Sequence, residues 1–152
     1  MSMKNEKYAA NICKLKTLDA NIQNLINMAV ETRLNSYSPY SNFKVGASVL
    51  CDDGKIFSGC NVENNAFTVG LCAERCAYGK AISEGNMKFK AVAVVAQQEN
   101  SFTTPCGACR QFMNEFGNVD VYITKPNCND VLVLNMDQLL PFKFETVGNT
   151  FI

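Results

Sequence analysis

The chain has 152 residues, of which 47% are hydrophobic and 18% charged, and its 14 basic side chains balance its 14 acidic ones. A chain of this length folds as about one domain with a single core. Zero net charge argues against binding to nucleic acid, which favours a basic surface. No apolar run approaches the roughly 20 residues of a membrane-spanning helix, and the polar N-terminus leads into no signal-peptide core. We therefore expect a cytoplasmic protein, with residues 1–16 as an N-terminal lead-in and residues 17–152 as one domain.

The sequence contains eight cysteines and no histidine, which limits the possible metal ligands and general bases. Without an export signal, metal binding, catalysis or simple burial of these thiols is expected rather than a disulfide framework. Any zinc ion must then be held by Cys, Asp or Glu side chains, and no imidazole is available as a general base. A carboxyl group with a shifted pKa is the simplest remaining proton shuttle.

Periodic apolar residues and capping patterns predict three main helices. The first begins after Thr17, which can cap it, and ends before Ser38-Pro39, because proline disfavours helix in the residue before it. The second covers about residues 71–83. Thr104 is expected to cap the third, with Pro105 at the first position, where a missing N–H costs least.

The remaining apolar runs predict five strands, at residues 43–50, 56–62, 91–96, 119–124 and 131–134. The turn Asp52-Asp53-Gly54-Lys55 joins the first two as a hairpin. A brief further helix is expected before Pro141. This order of elements indicates an α/β protein in which a mixed sheet carries helices on its faces.

Three cysteines are spaced as a metal site requires. Cys106 and Cys109 share one face of the third helix, and its first turn favours the thiolate form that binds metal. Cys72 lies near the predicted start of the second helix. Catalytic zinc sites commonly use three protein ligands and leave the fourth position to water, whereas structural sites are closed. We favour the open site, and the alternative is a closed site with Cys76 as fourth ligand.

These motifs resemble a known signature. Cys72-Ala73-Glu74 followed by Pro105-Cys106-Gly107-Ala108-Cys109-Arg110-Gln111 is similar to the three-cysteine form of the zinc nucleoside deaminase motif. The resemblance is strongest to the small homotetrameric cytidine deaminases and runs from about residue 38 to residue 144. It includes Pro39-Tyr40-Ser41-Asn42-Phe43, Gly59-Cys60-Asn61-Val62-Glu63-Asn64 and Leu139-Leu140-Pro141. It implies a three-layer α/β/α fold with a five-stranded mixed sheet, one zinc ion per subunit, a homotetramer and a nucleoside substrate.

The resemblance also implies roles for the residues of the metal site. Cys72, Cys106 and Cys109 would hold zinc, which acidifies a water for attack on C4 of the pyrimidine. Glu74 would take a proton from that water, deliver it to N3 and assist the departing nitrogen. Arg75 would hydrogen-bond a ligating cysteine.

Further positions are implied for the substrate. Phe43 would pack against the pyrimidine, and the Ala73 backbone would contact the base. Asn61 and Glu63 lie two apart on a predicted strand, so they share a face, and an amide beside a carboxylate suits a sugar hydroxyl. Phe144 would reach a neighbouring subunit's pocket, with Phe142 as a competitor for that role.

The implied function is hydrolytic deamination of cytidine and deoxycytidine to uridine and deoxyuridine, a step of pyrimidine salvage. One alternative is a deaminase of the same fold that acts on a nucleoside antibiotic of the blasticidin type, although Phe43 and the Asn61–Glu63 segment favour an ordinary base and ribose. Another is a non-catalytic zinc-stabilised binding module, which requires a closed four-cysteine site with Glu74 idle. A deaminase of polynucleotides is disfavoured because the sequence lacks a basic, aromatic-rich tract.

Overall fold

The computed structural model describes residues 9–145. These residues form six strands and four α-helices: β1 (Ile12–Lys14), α1 (Ala20–Arg33), β2 (Val45–Cys51), β3 (Ile56–Cys60), α2 (Ala73–Ser83), β4 (Phe89–Ala96), α3 (Gly107–Asn114), β5 (Asp120–Thr124), β6 (Asp130–Asn135) and α4 (Met136–Leu139). Short 3-10 turns cover residues 9–11, 15–17 and 67–69. Within residues 9–145, every helix is too short or too polar to cross a membrane.

The strands form one mixed sheet in the order β1-β6-β5-β4-β2-β3. Neighbours β4 and β5 run parallel, joined by the crossover that contains α3, and all other neighbouring pairs are antiparallel. The predicted mixed sheet is confirmed, but the count of five strands is wrong. The sixth strand, β1, pairs Ile12 with Leu132 of β6. Three residues are too few to show an alternating pattern, so this strand owes its place to long-range pairing rather than to local sequence.

Helices cover both faces of the sheet, as the three-layer prediction requires. On one face α1 buries its apolar side chains, Ile22, Leu25, Ile26 and Ala29, against Ala91, Ala93 and Val95 of β4. On the other face α2, α3 and α4 pack against Val92 and Val94 of β4 and against Val121 and Ile123 of β5. Strand β4 is therefore buried on both sides, which explains its nearly continuous apolar sequence.

Two predicted helix starts are corrected by the structure. Asp19, not Thr17, caps α1, since its Oδ1 accepts hydrogen bonds from the backbone N–H groups of Asn21 and Ile22 at 3.0 and 3.1 Å. A carboxylate is a better cap than a threonine hydroxyl. Thr17 ends a 3-10 turn instead.

Helix α3 begins at Gly107 with Cys106 as its N-cap, after the predicted Thr104 and Pro105. The Thr104 hydroxyl instead accepts a hydrogen bond from the Arg110 guanidinium at 2.7 Å. Thr104 does not cap α3 because the backbone stays extended as far as Cys106, two residues further on. The later start leaves Cys106, rather than Thr104, at the positive end of the helix.

Helix α2 lies unusually close to the sheet because β3 carries Gly59. A Cβ atom at this position would lie 2.5 Å from the backbone nitrogen of Ala77 and 2.6 Å from Cβ of Cys76. A glycine is required at such a close approach of two backbones. This contact fixes where the N-terminus of α2 lies relative to the strand ends.

Candidate active site

The N-termini of α2 and α3 converge and bring three thiols together. Cys72 is the N-cap of α2, Cys106 is the N-cap of α3, and Cys109 lies in the first turn of α3. Their Sγ atoms all lie within 4.8 Å of one another, and the Cys72 and Cys106 Sγ atoms are 3.8 Å apart. Two helix dipoles therefore direct their positive ends at the three sulfurs, which stabilises thiolate.

The spacing of the sulfurs fits zinc. A tetrahedral ion with Zn–S bonds of about 2.3 Å places its sulfur ligands about 3.8 Å apart, which matches the Cys72–Cys106 distance. Within residues 9–145, Cys76 does not belong to this cluster. The arrangement is a three-cysteine site with room for one further ligand, and it does not support the closed four-cysteine alternative.

The groups around the Cys72 thiol lower its pKa and so favour its thiolate form. A hydrogen bond from Cys109 lowers the pKa of the Cys72 thiol to about 5, with a further contribution from Arg75. The same hydrogen bond raises the pKa of Cys109, so Cys72 ionises first. Arg75 Nη2 lies 3.8 Å from the Cys72 Sγ and donates to the Gly70 carbonyl at 3.3 Å. Its positive charge offsets part of the negative charge of the thiolates.

Glu74 is a buried carboxyl group in the first turn of α2, with only 4% of its surface exposed. Burial raises its pKa above the usual range of a glutamate, and the neighbouring Cys72 thiolate adds to this shift. A carboxyl group whose pKa moves towards neutrality can both accept and return a proton at physiological pH.

A cavity of about 740 Å³ connects the thiols with the predicted substrate residues. The predicted site residues that line it are Phe43, Asn61, Glu63, Cys72, Ala73, Glu74, Arg75 and Cys106. Cys109 is fully buried. Residues that the sequence analysis did not assign also line the cavity, including Tyr40, Ser41, Phe67 and Thr68.

The Asn61 side chain is held by three hydrogen bonds. Its Oδ1 accepts from the Ser36 hydroxyl at 2.5 Å and from the Val45 N–H at 2.8 Å, and its Nδ2 donates to the Phe43 carbonyl at 2.9 Å. An amide has two donor hydrogens and two acceptor lone pairs. Asn61 therefore keeps one free N–H.

The Glu63 carboxylate is also held in place. Its Oε2 accepts from the backbone N–H groups of Tyr40 and Ser41 at 3.0 and 3.2 Å, and its Oε1 accepts from the Ser41 hydroxyl. The prediction that Asn61 and Glu63 lie on a strand is wrong, since β3 ends at Cys60. Both residues follow the strand, where the bridge between Val62 and Leu71 keeps the chain extended.

Comparison with known proteins identifies the family. The family model described as the cytidine and deoxycytidylate deaminase zinc-binding region matches residues 19–125. This chain belongs to the cytidine and deoxycytidylate deaminase family. The match contains all three clustered cysteines and Glu74.

Named cytidine deaminases are similar over most of the chain. A cytidine deaminase of Sporosarcina psychrophila is 45% identical over 125 residues, which cover 81% of this chain and 90% of the relative. A probable cytidine deaminase of Dictyostelium discoideum is 45% identical over 106 residues, or 70% of this chain and 72% of the relative. The crystal structure of cytidine deaminase from Burkholderia pseudomallei superposes with a TM-score of 0.76 at 41% identity, covering 84% of this chain and all of that one.

The two phenylalanines considered for a neighbouring subunit's pocket lie outside the cavity of their own chain. Phe144, which is 75% exposed, does not line it, and neither does Phe142, which is 95% exposed. The Phe144 backbone is held by the Gln111 side chain through two hydrogen bonds, of 3.0 and 3.1 Å.

Arg110 donates hydrogen bonds to the carbonyls of Pro105 and Leu139, so it connects α3 to α4 rather than contacting the thiols.

Sequence reasoning missed the polar residues that hold Asn61 and Glu63. These are Ser36 and Ser41, together with the backbone N–H of Tyr40. The turn-forming sequence Ser38-Pro39-Tyr40-Ser41-Asn42 was the available signal. A turn signature shows that the chain reverses, but it does not show which side chain the turn faces.

Proposed function

We propose that this protein catalyses the zinc-dependent hydrolytic deamination of cytidine and deoxycytidine to uridine and deoxyuridine. The observation that carries the proposal is the combination found in one cavity: clustered thiols, the buried Glu74 carboxyl, and the amide–carboxylate pair Asn61 and Glu63. Water adds its oxygen to C4 of the pyrimidine, the C4–N4 bond breaks, and the amino group leaves as ammonia.

Glu74 carries out each proton transfer of the proposed reaction. When bound by Cys72, Cys106 and Cys109, zinc supplies an acidified water as the nucleophile at neutral pH. Glu74 takes the proton released at attack and donates it to N3 of the ring. It then takes the second proton from the new C4 hydroxyl and passes it to the leaving nitrogen, so that the C4 carbonyl forms as the C4–N4 bond breaks. Its raised pKa suits this double role, because the group must be a base first and an acid afterwards.

The remaining cavity residues bind and orient the nucleoside. Phe43 packs against the base, and the Ala73 backbone contacts the polar edge of the ring. Asn61 donates its free N–H to a sugar hydroxyl, and Glu63 accepts a hydrogen bond from the same group. Arg75 holds Cys72 and compensates the charge of the thiolates.

The test is an assay of purified protein with cytidine, following the ultraviolet spectrum and ammonia release, with and without a zinc chelator. Conversion to uridine that the chelator abolishes and added zinc restores is the expected result. Zinc-loaded protein that leaves cytidine unchanged but deaminates a blasticidin-type nucleoside would establish the antibiotic activity instead. Protein inactive on both substrates, yet unfolded by zinc removal, would support the binding module.

We further propose that four copies of the chain assemble into a homotetramer. Three phenylalanines expose most of their surface on the single chain: Phe67 at 83%, Phe142 at 95% and Phe144 at 75%. Apolar surface of this kind favours burial against another protein surface. Light scattering should give four times the mass of the 16.8 kDa chain, and a monomer at working concentration would refute the proposal. Comparing the activity of Phe142→Ala with that of Phe144→Ala then identifies the aromatic side chain that completes a neighbour's pocket.

A cytoplasmic location and a single catalytic domain complete the proposal. The expected boundary at residue 17 is moved forward, because strand β1 (Ile12–Lys14) pairs with β6 and so belongs to the domain. All eight cysteines lie among the described residues and are free thiols. Thiolate ligands stay available to zinc in a reducing compartment, whereas an oxidising one favours disulfides. Fractionation of cells that express the tagged protein tests the location.

A further inference from the structure

A turn with an unusual backbone precedes β2 and faces the cavity. Asn42 has a φ of 56°, in the left-handed region, and its N–H donates to the Ser38 carbonyl at 3.0 Å. Asparagine adopts this conformation more readily than most residues with a side chain. The reversal places Tyr40 and Ser41 beside Glu63, which lies more than 20 residues later in the chain.

The Ser41 hydroxyl connects two substrate-binding residues. It donates to Glu63 Oε1 and accepts a hydrogen bond from the Phe43 N–H at 3.0 Å. The backbone N–H groups of Tyr40 and Ser41 occupy Glu63 Oε2. Because a carboxylate offers about four acceptor positions, only one remains open, and it lies on Oε1.

These hydrogen bonds stabilise the ionised form of the Glu63 carboxylate. The Ser41 hydroxyl is the largest cause of a pKa for Glu63 below its usual value, and the backbone N–H groups of Tyr40 and Ser41 lower it further. An ionised carboxylate with one open acceptor position is suited to a hydroxyl donor on the substrate.

We propose that Ser41 is a positioning residue for sugar recognition: it orients Glu63 towards a hydroxyl of the nucleoside and links that carboxylate to the backbone of Phe43. The proposal rests on the cytidine deaminase activity proposed above. Ser41 has no contact with the thiols or with Glu74 among the described hydrogen bonds. Because Ser41 meets Phe43 only at its backbone N–H, loss of the hydroxyl should fall mainly on substrates that carry the sugar hydroxyl. Loss of a residue that only supports the fold would affect every substrate.

The experiment compares two substrates, cytidine and 2′,3′-dideoxycytidine, which lacks the sugar hydroxyls that Glu63 can contact. Ser41→Ala should lower kcat/KM for cytidine about tenfold, the effect typical of one hydrogen bond to a charged group. The same variant should change kcat/KM for the dideoxy substrate by less than about twofold, within the variation expected without a lost contact. Ser41→Thr keeps the hydroxyl and should recover most of the activity on cytidine.

Ser83→Ala is the matched control variant for Ser41→Ala. Ser83→Ala removes another serine hydroxyl, one that bonds the Gly79 carbonyl at the far end of α2, and should leave both substrates unaffected. An equal loss on both substrates for Ser41→Ala, with a lowered Tm, would show that Ser41 only supports the turn and would overturn the proposal. Wild-type protein without activity on cytidine would overturn the proposed function itself, and the role of Ser41 with it.

Discussion

Helix α2 carries two buried polar side chains, Glu74 and Tyr78, whose surroundings differ. Glu74 lines the cavity and is 4% exposed. Tyr78 is fully buried, and its hydroxyl has no hydrogen-bond partner among the described residues. Its ring packs against Phe89 and Phe116, with centroids 4.5 and 5.5 Å away. Glu74 is a buried carboxyl group with a raised pKa beside the clustered thiols, whereas Tyr78 is an aromatic core residue whose hydroxyl is unpaired among the described residues.

Replacing Glu74 by glutamine keeps the shape of the side chain and removes its ability to transfer protons. We expect Glu74→Gln to lower kcat/KM for cytidine by at least about 10²-fold, the lower range for a general acid–base group. Zinc content, measured by metal analysis of the purified protein, should stay at the wild-type level. Glu84→Gln, at the opposite end of α2, is the matched control, and a Glu74→Gln variant with normal turnover would exclude the assigned role.

Replacing Tyr78 by phenylalanine removes a hydroxyl that is buried without compensation. The free energy of unfolding should stay unchanged or rise by up to about 1 kcal/mol, since the cost of burying the hydroxyl disappears. Denaturant unfolding with a constant m-value measures this change. Tyr122→Phe, at a half-buried position, should shift stability by less than about 0.5 kcal/mol. A clear loss of stability in Tyr78→Phe would reveal a hydrogen bond that the hydroxyl makes in solution.

At the level of elements, the active site depends on where α2 rests on the sheet. Gly59 of β3 allows the α2 backbone to approach closely, and the same helix carries Cys72 at its N-cap and Glu74 in its first turn. A displaced α2 therefore moves one of the clustered thiols and the proposed proton shuttle together. Position errors of about 1 Å at such a site can cost about 10²-fold in rate.

A pair of glycine substitutions tests this dependence. Gly59→Ala should destabilise the protein by about 1–3 kcal/mol through overpacking and should lower both zinc affinity and kcat. Gly79 lies on α2, where a new methyl group would meet nothing within 4 Å apart from its chain neighbours and the adjacent backbone of its own helix. Gly79→Ala should therefore stabilise the protein by about 0.5–1 kcal/mol. Thermal unfolding and zinc titration of both variants provide the measurement. A Gly59→Ala protein as stable and active as the wild type would contradict the close approach of α2 and β3.

At the level of the whole molecule, the thiol cluster joins parts of the chain that follow different strands. Cys72 follows β3, whereas Cys106 and Cys109 follow β4 on the crossover to β5. An ion held by all three therefore connects α2 to α3 and to the parallel pair at the centre of the sheet. Binding that occurs only in the folded state stabilises that state by mass action.

Removing zinc should consequently lower Tm as well as activity. At free zinc about 1,000-fold above Kd, the stabilisation expected from one site is about 4 kcal/mol. Calorimetry before and after chelation, in the presence of a thiol reductant, measures the loss, and added zinc should restore the original Tm. Mg²⁺ serves as the control because it prefers oxygen ligands to thiolates. Equal Tm values for zinc-loaded and stripped protein would show that the ion contributes nothing to folding.

The parts of this architecture that depend on local patterns could be predicted from the sequence. The spacing of Cys106 and Cys109, and the strand and helix periods, require only neighbouring residues, and the structure brings Cys72 to them. By contrast, β1 depends on pairing with β6, and the Asp19 cap of α1 competes with a plausible Thr17. The Ser41–Glu63 contact depends on the positive φ of Asn42. Such features arise from long-range pairing and single backbone conformations, which no periodic pattern records.

The hydrogen-bonding groups left free on Asn61 and Glu63 have a consequence for the proposed choice of nucleosides. After their internal contacts, Asn61 retains one N–H and Glu63 one acceptor position. One donor and one acceptor are satisfied by a single hydroxyl, so the sugar contact proposed above requires only one. Under that proposal, nucleosides derived from RNA and from DNA meet the same two groups.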